Sequence, residues 1–274
     1  MRVFRHYRRK APTDPSAVTA SPLIITMTQI TVALDKLLLL GDSIISFSND
    51  PNLGFGLTPA LQNYYSRRLQ VINRGFSGYN SSWARALIDP ILSEENAGHA
   101  KVKLAVIFYG SNDSATNDIQ HVPIDKYRDN LRYIASRALE AGAQVILVGP
   151  APLNETNTEF LEDRTTESMK NYGQAAGEIA KELGVGFVDL WHAFIRSTGW
   201  KEGEPHPGKL DQQSKYSLDD YFTDGLHYTG KGYKVFYDEL KAEIKAKYPQ
   251  LSPEALPRLL PEWQDWKSTY PSLS

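Results

Sequence analysis

Four consecutive leucines, Leu37 to Leu40, stand between Lys36 and Gly41 and run straight into Gly41-Asp42-Ser43. A run that short and that apolar, with no polar residue alternating in it, reads as a strand buried on both faces. Such strands belong to parallel sheets covered by helices on each side. Open sheets of this kind place their ligands at the carboxyl ends of the strands. Ser43 therefore stands where chemistry is expected. Gly41 lets the backbone turn sharply there and lets another group approach Ser43 closely. Gly, Asp and Ser are also ordinary turn residues, so the motif needs support from the rest of the chain.

That support begins with repetition. Gln70–Asn73, Leu104–Tyr109, Val145–Pro150 and Gly184–Leu190 read as further strands. Helices are expected between them. One is capped by Thr58, with Pro59 at its first position, and runs to about Arg68. Another is capped by Ser81-Ser82 and stopped by Pro90. A third, Ile124 to Ala141, carries Tyr127, Leu131, Ile134 and Ala138 on one face and stops at Gly142. A fourth runs from after Asp163 to Leu183, and a last one opens at Thr229-Gly230 and reaches about Tyr248. Residues 196–222 show no periodicity and read as a loop or lid. The alternation predicts the α/β class: a three-layer α/β/α sandwich around a parallel sheet of about five strands. The 274 residues then divide into a basic extension without fixed structure (1–35), one domain (36–248) and a C-terminal tail (249–274). The tail is expected to lie across the domain, anchored by Trp263 and Trp266.

Composition narrows the function. A net charge of −2 gives no reason to expect a nucleic-acid partner. The chain has no cysteine, which excludes disulfides, thiolate metal sites and a cysteine nucleophile, and fits a reducing compartment. No apolar run approaches the roughly 18 residues of a membrane span. Arg2, Arg5, Arg8, Arg9 and Lys10 stand against Asp14 alone in the first 26 residues. No continuous apolar stretch precedes residue 22, so no secretory signal is expected and the cytoplasm is the expected location. A mitochondrial presequence and a true start at Met27 stay open for this segment. Without a secretory signal the Asn-x-Ser/Thr sites at Asn80, Asn112 and Asn154 are expected to be unused. Gly54-Phe55-Gly56 lacks the third glycine of a dinucleotide fingerprint, and no strand precedes it directly. A homodimer stays open, because nothing in the sequence fixes oligomeric state.

Parallel strands share a carboxyl edge. Three strand exits therefore bring Ser43, Gly78 and Asn112 to one side of the sheet, and Asp224 and His227 precede the last helix at that same edge. These are the parts that acyl transfer needs. A hydroxyl is a weak nucleophile until a base takes its proton. His227 is the candidate base, and Asp224 would fix its tautomer and stabilise the imidazolium. The backbone N–H groups of Ser43 and Gly78 and the side-chain amide of Asn112 are candidate donors to an oxyanion. Phe47, Phe55, Tyr79 and Trp83 are candidate apolar walls, with core packing as the alternative. The other five histidines read as lacking partners at a useful spacing. No metal is expected, since no His pair stands at ligand spacing. Tyr79 stands where a Gly-x-Ser-x-Gly elbow around Ser77 would need glycine.

Gly41-Asp42-Ser43, Gly78, Gly110-Ser111-Asn112-Asp113 and Asp224-Gly225-Leu226-His227 resemble, in order, the four blocks of the SGNH (GDSL-type) lipase/esterase superfamily. Asn73 to Asn80, Gly110 to Ser114 and Asp224 to His227 resemble its isoamyl acetate-hydrolysing esterase branch. The resemblance covers roughly residues 36–248. It implies a flavodoxin-like fold, Ser43 as nucleophile, Gly78 and Asn112 as further oxyanion donors, and Asp224 and His227 completing a triad, with no cofactor. It implies hydrolysis of a small-molecule carboxylic ester of short acyl chain. An acetylated sugar, a thioester or a lysolipid as substrate, acyl transfer to an alcohol, and a non-catalytic binding module are the rival readings. Ile45 and Ser46 depart from the Thr and Gln/Glu common in the family after Gly-Asp-Ser-Ile; neither position carries chemistry.

Overall fold

A computed structural model of the chain describes residues 32–271. The segment that raised the presequence and the Met27 start lies outside the described residues. The five apolar runs form strands β1 (Lys36–Gly41), β2 (Gln70–Gly75), β3 (Val102–Phe108), β4 (Gln144–Gly149) and β5 (Gly186–Asp189). Every pairing is parallel, in the order β2-β1-β3-β4-β5. Leu37 and Leu39 enter one core and Leu38 and Leu40 the other, all fully buried, which accounts for the unbroken leucine run.

Helices α1 (Ser43–Ser46), α2 (Leu57–Tyr64), α6 (Leu190–Ser197) and α7 (Gly230–Lys247) pack their apolar residues into the first core. Helices α3 (Ser81–Glu95), α4 (Ile124–Glu140) and α5 (Thr166–Leu183) fill the second. The result is the expected three-layer sandwich. The strand order reverses between β1 and β3, and in open α/β sheets the crevice at that reversal is where ligands bind. Ser43 follows β1 and Asn112 follows β3, so the candidate residues flank it.

Local boundaries differ from expectation for identifiable reasons. Gly56, not Thr58, precedes α2. Thr58 is used elsewhere: its Oγ1 lies 2.7 Å from Ser48 Oγ and accepts from Asn73 Nδ2 at 3.0 Å. The helix ends at Tyr64, and Arg67 takes a left-handed φ of 60°. Asn80 caps α3, its side chain accepting from Trp83 N. That helix continues through Pro90, because Ile91 and Leu92 carry on the buried stripe begun by Ala84 and Ile88. One missing N–H does not outweigh that packing. Helix α6 fills the interval between the fifth strand and the stretch read as a loop, overlapping that stretch only at Arg196 and Ser197. Its cap is Asp189, and Leu190, Trp191, Phe194 and Ile195 form its buried face.

The tail is held by backbone contacts rather than by its tryptophans. Tyr65 Oη donates to Leu251 O at 3.0 Å. The Arg67 guanidinium reaches the carbonyls of Leu259, Leu260 and Pro261. Trp263 is 80% exposed, and Trp266 packs on Tyr270 of the tail itself. No helix among the described residues is long and apolar enough to cross a membrane.

Candidate active site

The turn after β1 is built around Asp42. Its Oδ1 accepts from Ile44 N at 2.9 Å and so caps α1. Ser43, first residue of that helix, has a backbone N–H without an intrahelical acceptor. Gly41 and Gly75 are register partners on β1 and β2. Tyr233 Oη of α7 donates to Ile44 O at 2.7 Å, pinning the turn from the other side.

The catalytic candidates meet across 184 residues of sequence. Ser43 Oγ lies 2.9 Å from His227 Nε2, and His227 Nδ1 lies 2.7 Å from Asp224 Oδ2. Asp224 Oδ1 accepts from the backbone N–H groups of Leu226 (3.0 Å) and His227 (2.8 Å). Burial works to raise the Asp224 pKa. The hydrogen bonds from the His227 ring and from those two N–H groups outweigh it and hold the carboxyl at about 2. Asp224 is then an ionised, acceptor-only group at neutral pH. Nδ1 must carry the imidazole proton, which leaves Nε2 free to accept from the Ser43 hydroxyl. The loop is fixed by Thr223 N donating to His227 O at 2.8 Å. Gly225, at φ +85°, has no room for a side chain: a Cβ would stand 2.5 Å from Thr158 Cβ.

Gly78 takes φ +82° in the turn before α3. Asn112 Nδ2 donates to Tyr79 O at 2.9 Å, which joins the β3 exit to the β2 exit and leaves the second amide hydrogen for another acceptor. Asp113 locks the same two exits from beneath. Its Oδ1 accepts from Ser81 N at 2.9 Å and its Oδ2 from Gly110 N at 3.1 Å.

Of the candidate walls, Phe47, Tyr79 and Trp83 are exposed at 41%, 37% and 39%. Phe47 stands 5.1 Å from the His227 ring, and Tyr79 packs edge-on to Trp83. Phe55 takes the alternative left open for it, core packing: its ring meets Tyr237 of α7 at 5.6 Å and packs against the first core. Phe160 was not foreseen. Its ring lies 6.2 Å from His227, opposite in sequence to any recognisable motif.

His192 corrects the reading that the remaining histidines lack partners. Asp189-x-x-His192 has the spacing of Asp224-x-x-His227 and the same two bonds, Nδ1 to Oδ2 at 2.6 Å and backbone N to Oδ1 at 3.1 Å. His192 faces a cavity of about 790 Å³ lined by Lys170, Trp191, Trp200, Glu204 and His206 among others. No Ser, Thr or Cys lines it, so this dyad has no hydroxyl or thiol to activate. No group of three His, Cys, Asp or Glu among the described residues is placed to hold a metal ion.

Two buried acids lie beneath the site. Asp42 and Asp113 are both 0% exposed, and Asp42 Oδ2 has no hydrogen-bond partner. Burial pushes the Asp42 carboxyl up to about 7, against the Ile44 N–H bond that lowers it, and the Asp113 carboxyl up to about 6. In the unfolded chain both titrate near 4. Between about pH 4 and 7 the folded protein therefore holds protons that the unfolded chain has released. The stability these groups contribute is full below about pH 4 and is lost as pH rises through 6 to 7. Asp42→Asn keeps an oxygen for Ile44 N and cannot ionise. Its stability relative to wild type is expected to improve steadily from pH 4.5 to 7.5 in urea unfolding. Parallel pH dependences in the two proteins would show that Asp42 is not the group responsible.

A hydroxyl, an imidazole and a carboxylate in one hydrogen-bonded line, beside backbone and amide donors at a sheet edge, define a serine-hydrolase type of site. Residues 39–235 match the GDSL-like Lipase/Acylhydrolase family. The chain belongs to that family and is a carboxylic ester hydrolase. It is 32% identical over 247 residues to the isoamyl acetate-hydrolyzing esterase of Saccharomyces cerevisiae, covering 84% of this chain and 94% of the yeast protein. It is 32% identical to the isoamyl acetate-hydrolyzing esterase 1 homolog of Homo sapiens, covering 87% and 91%. Among solved structures, the acetylxylan esterase Axe2 of Geobacillus stearothermophilus shares the fold, with a TM-score of 0.58 at 22% identity over 77% of this chain and 94% of Axe2.

Proposed function

We propose that the chain is a serine esterase that hydrolyses short-chain, acetate-type carboxylic esters through an acyl-enzyme on Ser43. The observation that carries this reading is the unbroken line Ser43–His227–Asp224. Ser43 Oγ attacks the ester carbonyl while its proton passes to His227 Nε2. The tetrahedral oxyanion is received by the N–H groups of Ser43 and Gly78 and the Asn112 amide. The C–O bond to the alcohol breaks as His227 returns the proton to the leaving oxygen. Water, deprotonated by the same imidazole, then attacks the acyl-enzyme, releases the acid and regenerates Ser43. Asp224 stabilises the imidazolium in both halves and stays ionised.

The acetate-type substrate is supported by the names of the yeast and human relatives. The exposed Phe47, Tyr79 and Trp83, with Phe160, are the proposed apolar walls for the acyl and alcohol groups. A series of p-nitrophenyl esters tests the substrate class. We expect kcat/KM to be highest at two to four acyl carbons and to fall roughly tenfold or more by eight. Preference for long acyl chains, or acyl transfer to an added alcohol exceeding hydrolysis, would overturn it. The proposed compartment is the cytoplasm, which fits a cysteine-free chain. Import of a full-length fluorescent fusion into mitochondria would contradict that placement.

A further inference from the structure

We propose that Arg164 is a positioning residue for the oxyanion hole, acting through the amide of Asn112. The inference rests on the proposed role of Asn112. Arg164 follows the polar loop after β4 and is 5% exposed. Burying a guanidinium is costly unless its N–H groups are matched, and here they are spread over the site's own framework. Nε donates to Ser111 O at 3.1 Å, Nη2 to Asn112 Oδ1 at 3.2 Å and to Gln120 Oε1 at 2.6 Å, and Nη1 to Asp163 Oδ1 at 2.8 Å. The ring of Phe160, which also stands against His227, lies 5.5 Å from the guanidinium.

Three consequences follow from the chemistry. A guanidinium only donates, so Asn112 must turn Oδ1 toward it, and this fixes which end of the amide is the donor end. Nδ2 then faces Tyr79 O, with its second hydrogen available to an oxyanion. A charged donor on Oδ1 also draws electron density from the amide nitrogen and makes its N–H groups better donors, an effect enlarged in a dry site. The second donor strand is tied to the same cation. Gln120, held by Arg164 through Oε1, donates from Nε2 to Gly78 O at 3.0 Å. One buried cation thus holds the exits of β2 and β3 together.

A double-mutant cycle separates this role from simple support of the loop. The proteins are wild type, Arg164→Gln, Asn112→Ala and the pair, each assayed for kcat and KM on p-nitrophenyl acetate. Arg164→Gln is expected to lower kcat by about 10- to 100-fold while KM changes less than about threefold. In the Asn112→Ala background the same substitution should cost at least about fivefold less, the remaining loss being the part that reaches Gly78 through Gln120. Arg164→Lys keeps the charge and loses the fork, and should lose about tenfold in kcat. It is the variant to read if Arg164→Gln does not fold. An equal loss in both backgrounds, or a kcat within twofold of wild type for Arg164→Lys, would overturn the proposal. Wild-type kcat in Asn112→Ala would overturn it as well. A Ser43→Ala variant without activity, measured alongside, would show in each of these cases that the esterase reading itself still stands.

Discussion

Ser43→Ala is expected to lower turnover of p-nitrophenyl acetate by about 10⁴-fold or more, with the fold and unfolding midpoint unchanged. The side chain lost is a single oxygen in a site where Ser43 is only 6% exposed, so little packing goes with it. The chemistry has no substitute close by. Ser46 closes the same short helix, but among the described residues no hydrogen bond joins its hydroxyl to an imidazole, and His192 faces a cavity whose lining has no Ser or Thr. Residual activity should come from water activated by His227 and from the oxyanion donors alone. His227→Ala should lose a comparable factor, since the two residues act as one unit. Purified variants assayed under the same conditions, with circular dichroism as the control, check this directly. A loss of tenfold or less in Ser43→Ala would remove Ser43 from the role of nucleophile.

The second large effect is on stability. Gly75 ends β2 beside Gly41, and the nucleophile turn passes directly over it. A Cβ at residue 75 would lie 2.1 Å from Ser46 N and 2.6 Å from the Ile45 carbonyl carbon. Both atoms belong to the backbone of α1, which is held from above by Tyr233 Oη on Ile44 O. Neither side can give without moving Ser43. Gly75→Ala should therefore destabilise by roughly 3 kcal/mol. The melting temperature should fall by about 6–12 °C, and turnover should drop at least tenfold even well below it. Urea unfolding and kcat measured at low temperature check the two parts. A cost under about 1 kcal/mol would mean that the turn is slack and that the tight approach of β2 to α1 does not set the nucleophile's position.

The sequence made the strands and the triad candidates legible because both are local signals. Leu37 to Leu40, bounded by Lys36 and Gly41, suits a short strand buried on both faces, and Asp-x-x-His places a carboxylate under its own imidazole within one turn of chain. The same locality explains what was missed. Asp189-x-x-His192 carries an equal local signal and makes equal bonds. What separates the two dyads is a hydroxyl brought from 184 residues away by the sheet, and spacing along the chain cannot report that. Arg164 and Phe160 fall in a stretch without periodicity, and their meaning comes from contacts to Asn112 and His227 across the fold. Helix α6 was hidden for another reason: its eight residues follow directly on β5, so Leu190 was read into the strand and little more than one turn of pattern remained before the aperiodic stretch. For Phe55 the sequence left wall and core packing open, and only its contact with Tyr237, 182 residues away, places it against the first core.

The central claim is that Ser43 Oγ is the atom that carries the acyl group. Treatment of the full chain with a fluorophosphonate, followed by intact mass and peptide mapping, tests it most directly. The account predicts one adduct per chain, on Ser43, formed quickly in wild type, slowed by about 10³-fold or more in His227→Ala and absent in Ser43→Ala. An adduct mapped to another residue, or equal labelling of Ser43→Ala, would contradict it.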